Sequence, residues 1–183
     1  MKRTTLLITL ATVVLTTFGS YAQETALLSG KQYSFTETKV MPKMNKTSVR
    51  KGLMVFVAPD ILTMDYSQPA GDYTHITSDS FEVSKNGKVQ HFPMNNPNHR
   101  MAIFRTTLLY CLGGELDRAA ELNHAGKACS VEKGKRICTL TVEKAAPRDI
   151  AQIQLLYDAQ SKALISLTLT EGSGNYTVYN LTE

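Results

Sequence analysis

Cys129 and Cys138 are the pair of reactive side chains whose spacing defines a chemistry by itself. Between them lies Ser-Val-Glu-Lys-Gly-Lys-Arg-Ile, with a two-residue hairpin turn centred on Lys133-Gly134. Counting outward sets Glu132 against Lys135 as a hydrogen-bonded pair and Cys129 against Cys138 as a non-hydrogen-bonded pair, whose side chains lie close. A cross-strand disulfide is therefore expected; the rival thiolate metal site has no His or Cys partners nearby. Cys111 falls in an apolar helical stretch and is expected as a buried thiol. His75, His91, His99 and His124 are scattered, and none has a partner at the i+4 spacing of a zinc helix. Gly172-Ser173-Gly174 lacks the flanking pattern of a nucleophile elbow and reads as a hairpin turn. Asp65 sits inside an apolar strand but alternates outward toward solvent. There is no phosphate loop and no basic–aromatic interleave for stacking bases, and the chain has 0 tryptophans. Asn45-Lys46-Thr47, Asn175-Tyr176-Thr177 and Asn180-Leu181-Thr182 would be glycosylation acceptors only in a eukaryotic secretory host. The expectation is a non-enzyme with no catalytic residue, no cofactor, no metal and no nucleic-acid partner.

The elements behind these residues are organised around the stretch from Gly52 to Pro69. The apolar run Leu53-Met54-Val55-Phe56-Val57-Ala58 meets the turn pair Pro59-Asp60, and a second run stops at Pro69. Two antiparallel strands are expected. In the first, Leu53, Val55 and Val57 oppose Met54, Phe56 and Ala58; in the second, Leu62, Met64 and Tyr66 share a face. Both faces of the first strand are apolar, so something must cover the second face, protein or a greasy ligand. Phe81 to Phe92 is a hairpin about Asn86-Gly87, a type I′ signal that pairs Phe81 with Phe92. From Met101 to about Ala125 the period turns helical, with Ile103, Phe104, Leu108 and Leu112 on a broad apolar face. Gly113-Gly114 predicts two short helices or one kinked helix. Ile150 to Asp158, with a bulge between Ile150 and Ile153, Ala163 to Thr170, and Tyr176 to Leu181 complete the sheet.

Gly52-Leu53, six residues to Pro59, then a short apolar strand closing in Tyr66-x-x-Pro69 resembles the LolA family of periplasmic lipoprotein carriers. The ending resembles it too: Tyr157-Asp158, then Ser166-Leu167-Thr168-Leu169, a glycine, and a strand containing Tyr176-Thr177. The resemblance covers roughly residues 35–181. It implies an α+β, mainly β fold: a strongly curved antiparallel sheet forming an incomplete β-barrel with a helical lid or plug. The basic residue that often precedes the first motif proline in that family is Ala58 here, so its role is not carried over. The opening segment from Gln23 to Gly30 is shorter than the family's opening helix.

Met1-Lys2-Arg3, the apolar run Leu6 to Phe18 and Gly19-Ser20-Tyr21-Ala22 form the three parts of a secretory signal, with cleavage expected after Ala22. Residues 23–183 then make one domain. Without Lys2 and Arg3 the formal charge of +4 falls to about +2, too weak to argue for nucleic acid. Lys39, Lys43, Lys46, Arg50 and Lys51 cluster in a segment without acids. That cluster is either a solvated edge or a basic lip for lipid phosphates or an acidic partner. The resemblance implies a soluble periplasmic carrier that holds the acyl chains of lipoproteins and shuttles them from inner to outer membrane. The expected lining is Leu53, Val55, Val57, Leu62, Met64, Tyr66, Phe81 and Phe92, closed by Ile103, Phe104, Leu108 and Leu112. The methionines, Met54 and Met64 among them, would either make that lining adaptable or fill core gaps. Acylated lipoproteins or other lipids are the expected ligands. An inner-membrane release transporter and an outer-membrane acceptor are the implied partners, and a monomer is expected. The alternatives are a binder or sensor of another lipid or glycolipid on the same fold, or a structural β-domain with a filled interior.

Overall fold

The computed structural model describes residues 27–96 and 99–183. The signal segment, its cleavage point and the first half of the short opening segment lie outside the described residues. Eleven strands form one sheet: β1 (Gln32–Met41), β2 (Lys46–Val57), β3 (Ile61–Gln68), β4 (Ala70–Ile76), β5 (Ser80–Lys85), β6 (Lys88–Pro93), β7 (Ala125–Glu132), β8 (Lys135–Val142), β9 (Ile150–Asp158), β10 (Leu164–Glu171) and β11 (Tyr176–Thr182). Two helices, α1 (Arg100–Leu112) and α2 (Leu116–Leu122), connect β6 to β7. The strand order is β6-β5-β4-β3-β2-β1-β11-β10-β9-β8-β7, antiparallel throughout. Two meanders thus meet where the first strand pairs with the last.

The sheet's edges, β6 and β7, do not pair with each other, so the barrel stays incomplete. Laid flat, eleven strands would hold these edges about 48 Å apart. Yet α1 touches β6, α2 touches β7, and the two helices pack on each other. The sheet is therefore bent into a trough, and the helices bridge its gap as a lid. Gly113-Gly114 ends α1 as expected: Gly114 takes φ +76° and Glu115 N–H donates to the Tyr110 carbonyl.

Local turn chemistry sets several registers. Asn86-Gly87 and Lys133-Gly134 both have paired positive φ values, as type I′ turns require. They place Phe81 opposite Phe92 and Cys129 opposite Cys138. The β9–β10 register shifts between Ile150 and Gln152, where a bulge was expected.

The β2–β3 register corrects the expected faces. Ala58, Pro59 and Asp60 all belong to the loop, and Val57 pairs with Ile61, Val55 with Thr63 and Leu53 with Asp65. A three-residue loop keeps like parity on one face, whereas a turn of Pro59-Asp60 alone would have set Val55 beside Met64. Met54, Phe56, Leu62 and Met64 therefore face the trough at 0–3% exposure, while Leu53 and Val57, at 44% and 37%, lie on the convex face. Val55 shares that convex face. Gly52 fixes this arrangement: a Cβ there would sit 2.2 Å from the Asp65 carbonyl oxygen and 2.9 Å from the Phe35 ring. The Phe35 and Tyr66 rings, edge to face at 5.1 Å, occupy the space that Gly52 leaves.

Candidate functional site: the interior of the trough

The trough has an apolar half and a polar half. Under the lid, the buried cluster combines Met54, Phe56, Leu62, Ile76 and Phe81 with Ile153, Leu155 and Leu167 from the far meander. The helices contribute Leu108, Leu109, Cys111, Leu112 and Leu116 to the same cluster. Phe104 stacks on Phe81 at 6.2 Å between ring centroids, and Phe81 lies 5.3 Å from Phe92. Few polar contacts fasten the lid. Leu27 N–H donates to the Leu112 carbonyl at 2.9 Å, Arg105 donates to the Thr77 carbonyl, and Arg100 pairs with Asp149 at 2.8 Å. On α2, Asn123 donates to Thr107 at 2.7 Å and Lys127 pairs with Asp117.

Six residues before Phe56 along β2, about 20 Å at the rise of a strand, the inner face becomes ionic. Glu37 on β1 faces Arg50 on β2 and Tyr179 on β11. Arg50 donates to both Glu37 carboxylate oxygens at 2.8 Å and to the Tyr66 hydroxyl at 3.0 Å. Tyr66 donates to Glu37 at 2.6 Å, and the Arg50 guanidinium stacks 3.9 Å from the Tyr66 ring centroid. Its other arm reaches Asp72 on β4 at 3.5 Å, and Asp72 also accepts from Asn86 N–H at 2.7 Å. Glu37 and Asp72 are each only 4% exposed. This row spans five adjacent strands and forms a polar floor beyond the apolar half.

Burial moves the ionisable groups of this row. The Tyr66 phenol is pushed well above its ordinary value, first by burial and then by the negative neighbourhood of Tyr179 and Glu37. Tyr179 is raised by burial and by Glu37. Burial opposes the charge of Arg50, but Tyr66 and Glu37 outweigh it and hold the guanidinium more firmly protonated than usual.

The expected lining divides accordingly. Leu62, Met64, Tyr66, Phe81, Leu108 and Leu112 are buried on the trough side, and Phe92 and Phe104 are half-buried against the same cluster. Ile103 is half-buried. Leu53, Val55 and Val57 are on the other face. Sequence reasoning missed Met54, Phe56 and Ile76, and the whole ionic row. The signal for Glu37 was available: it continues the alternation Tyr33, Phe35, Glu37 on one face. Arg50 was expected with the basic cluster, as a solvated edge or a basic lip, but it points inward, in phase with Gly52, Met54 and Phe56. Asp65 is exposed on the convex face, where His75 meets it at 2.9 Å. The disulfide between Cys129 and Cys138 is formed, with the two Cα atoms 4.2 Å apart as in a non-hydrogen-bonded pair. Cys111 is a buried thiol in α1.

No protein-family model matches this sequence, and neither does any curated protein. Solved structures similar to it include a LolA superfamily protein from Nitrosomonas europaea, at 7% identity and TM-score 0.41 over 88% of this chain and 87% of that one. A putative outer-membrane lipoprotein-sorting protein domain from Vibrio parahaemolyticus aligns at 10% identity and TM-score 0.39, covering 86% of each chain. The Mycobacterium tuberculosis lipoprotein LppX aligns at 9% identity and TM-score 0.35, over 82% of this chain and 83% of that one.

Proposed function

We propose that this protein is an exported, non-enzymatic carrier that takes the acyl chains of a lipid or lipoprotein into the apolar half of the trough. The observation that carries the reading is the unclosed seam. Between β6 and β7 stand two helices, α1 against β6 and α2 against β7, where a closed barrel would have a hydrogen-bonded ladder. A ladder cannot part without breaking a row of backbone bonds. A helix whose own backbone bonds are internal can swing out at the cost of side-chain contacts and a few hydrogen bonds. Loading exchanges α1 side chains for methylenes: each methylene buried contributes about 0.8 kcal/mol, set against the apolar helix surface that the exchange uncovers. The Gly52-Leu53 to Pro69 motif supports the same reading, and its family implies periplasmic transit from inner to outer membrane between a release transporter and an acceptor.

A second reading has its own observation. Phe56, Leu62, Leu112 and Leu116 are at most 1% exposed, as in a permanently filled structural domain. One pair of variants separates the two. Met64→Glu places a carboxylate on the trough face, and Val55→Glu places one on the convex face. In a loadable trough Met64→Glu folds and loses acyl cargo in native mass spectrometry, while Val55→Glu keeps both fold and cargo. In a filled core the buried charge costs several kcal/mol and Met64→Glu unfolds. The carrier reading fails if that variant unfolds and the wild type never carries lipid.

A further inference from the structure

The basic cluster of the β1–β2 region is not one feature. Arg50 belongs to the buried row, and Lys39 pairs with Glu171 at 3.5 Å. Lys43, Lys46 and Lys51 remain exposed and make no ion pair among the described residues. The hairpin that carries them is uncovered on its β3 side: β3 begins pairing with β2 only at Lys51, so Lys46 to Arg50 run past it by about 16 Å at the rise of a strand, while β11 flanks β1 as far as Val40. Its tip, the single turn Pro42–Met44, exposes Met44 at 69%, and the β2 side exposes Val49 at 56%.

Because neighbouring strands alternate in direction, the β1–β2, β3–β4, β5–β6, β8–β9 and β10–β11 connections share one end of the sheet. Lys85 and Lys88 flank the β5–β6 turn there and are exposed, again without an ion pair among the described residues. Of the carboxylates at that end, Glu171 is engaged by Lys39, Asp149 by Arg100 and Asp72 by Arg50. Glu143 is exposed and makes no ion pair among the described residues. The opposite end is mixed, with Asp60, Asp79, Glu132 and Asp158 among its lysines.

We infer that this end of the sheet docks on an anionic lipid surface, with Lys43, Lys46, Lys85 and Lys88 over the phosphates and Met44 entering the interfacial layer. An acidic protein would suit the lysines but gives no role to Met44, the bulky apolar side chain exposed at the hairpin's tip. Lysines near an anionic bilayer act additively and are screened by salt, whereas inserted apolar groups are not. The inference does not depend on the trough holding a ligand.

The test is co-sedimentation of the protein, as purified after export, with two kinds of vesicle. One is phosphatidylcholine alone, and the other is phosphatidylcholine and phosphatidylglycerol in equal parts. The wild type is expected to pellet with the anionic vesicles only. Lys43→Glu/Lys46→Glu reduces that partitioning at least tenfold or so, and Met44→Ser reduces it at high salt. Lys133→Glu/Lys162→Glu, the same charge change at the opposite end, leaves it at the wild-type level. Equal binding to both vesicles, no binding to either, or a tip variant that pellets like the wild type would overturn the inference. The two proposals fail separately. A protein that pellets but never carries lipid ends the carrier reading alone, and one that carries lipid without pelleting ends the docking inference alone.

Discussion

At the scale of the residue, Arg50 is the cation that makes two buried carboxylates tolerable. Glu37 and Asp72 are almost wholly out of water, on strands that flank β2 and β3, and the guanidinium lies between them. Such a row does not add much net stability, because desolvating the charges consumes most of what their attraction returns. Its effect is on specificity: the row forms only when β1, β2, β3 and β4 stand in this register, and even here Asp72 Oδ2 has the Arg50 charge at 3.5 Å but no hydrogen bond. The phenols report on it. Both Tyr66 and Tyr179 are held neutral in the fold to a pH well above the ordinary tyrosine value. In the unfolded chain they ionise near pH 10. Above that pH the unfolded state binds fewer protons than the native state, so stability falls as pH rises. An absorbance titration is therefore expected to show Tyr66 and Tyr179 ionising only together with alkaline unfolding. In Tyr66→Phe one of these late ionisations disappears. If Tyr66 titrates near pH 10 while the fold persists, the row is more open to water than the structure has it.

At the scale of the element, the hairpin of β7 and β8 shows what a sequence can carry. Lys133-Gly134 fixes the turn type, the turn fixes the register, and the register brings Cys129 to Cys138. The information is local, so it could be read directly. β7 is an edge strand exposed along nearly its whole length, and the disulfide ties it to β8, whose Cys138 is fully buried. Closing this short loop contributes about 2–3 kcal/mol on the chain-entropy model. Alkylating the unfolded, unreduced protein is expected to modify Cys111 alone, and label on Cys129 or Cys138 would refute the bridge. The β2–β3 hairpin shows the opposite case. Pro59-Asp60 announces a turn but not whether Ala58 belongs to it, and that one residue exchanges the two faces of a strand apolar on both. The ionic row was hidden for a related reason. Its members come from five strands, and Arg50 looks like surface charge until β1 and β3 are placed beside it.

At the scale of the molecule, the two meanders form a continuous sheet through β1 and β11, so the seam between β6 and β7 is where the trough can open. Opening there separates α1 from Phe81 and Phe92 and leaves every strand pairing intact. Breathing of the whole barrel would not have that economy. A lock tests the difference. With Cys111→Ala to remove the thiol in α1, Phe81→Cys on β5 and Phe104→Cys on α1 replace two rings whose centroids are 6.2 Å apart, and a short, reductant-cleavable bifunctional thiol reagent ties the helix to the sheet there. Crosslinked, this variant should fold and melt no lower than its untreated form, yet take up no acyl chain. Reductant should restore uptake. The wild type passed through the same reagent and reductant controls for the Cys129–Cys138 bridge, which the reductant also reaches. Undiminished uptake by the locked form would mean that lipid enters elsewhere, and α1 would then be an ordinary part of the core.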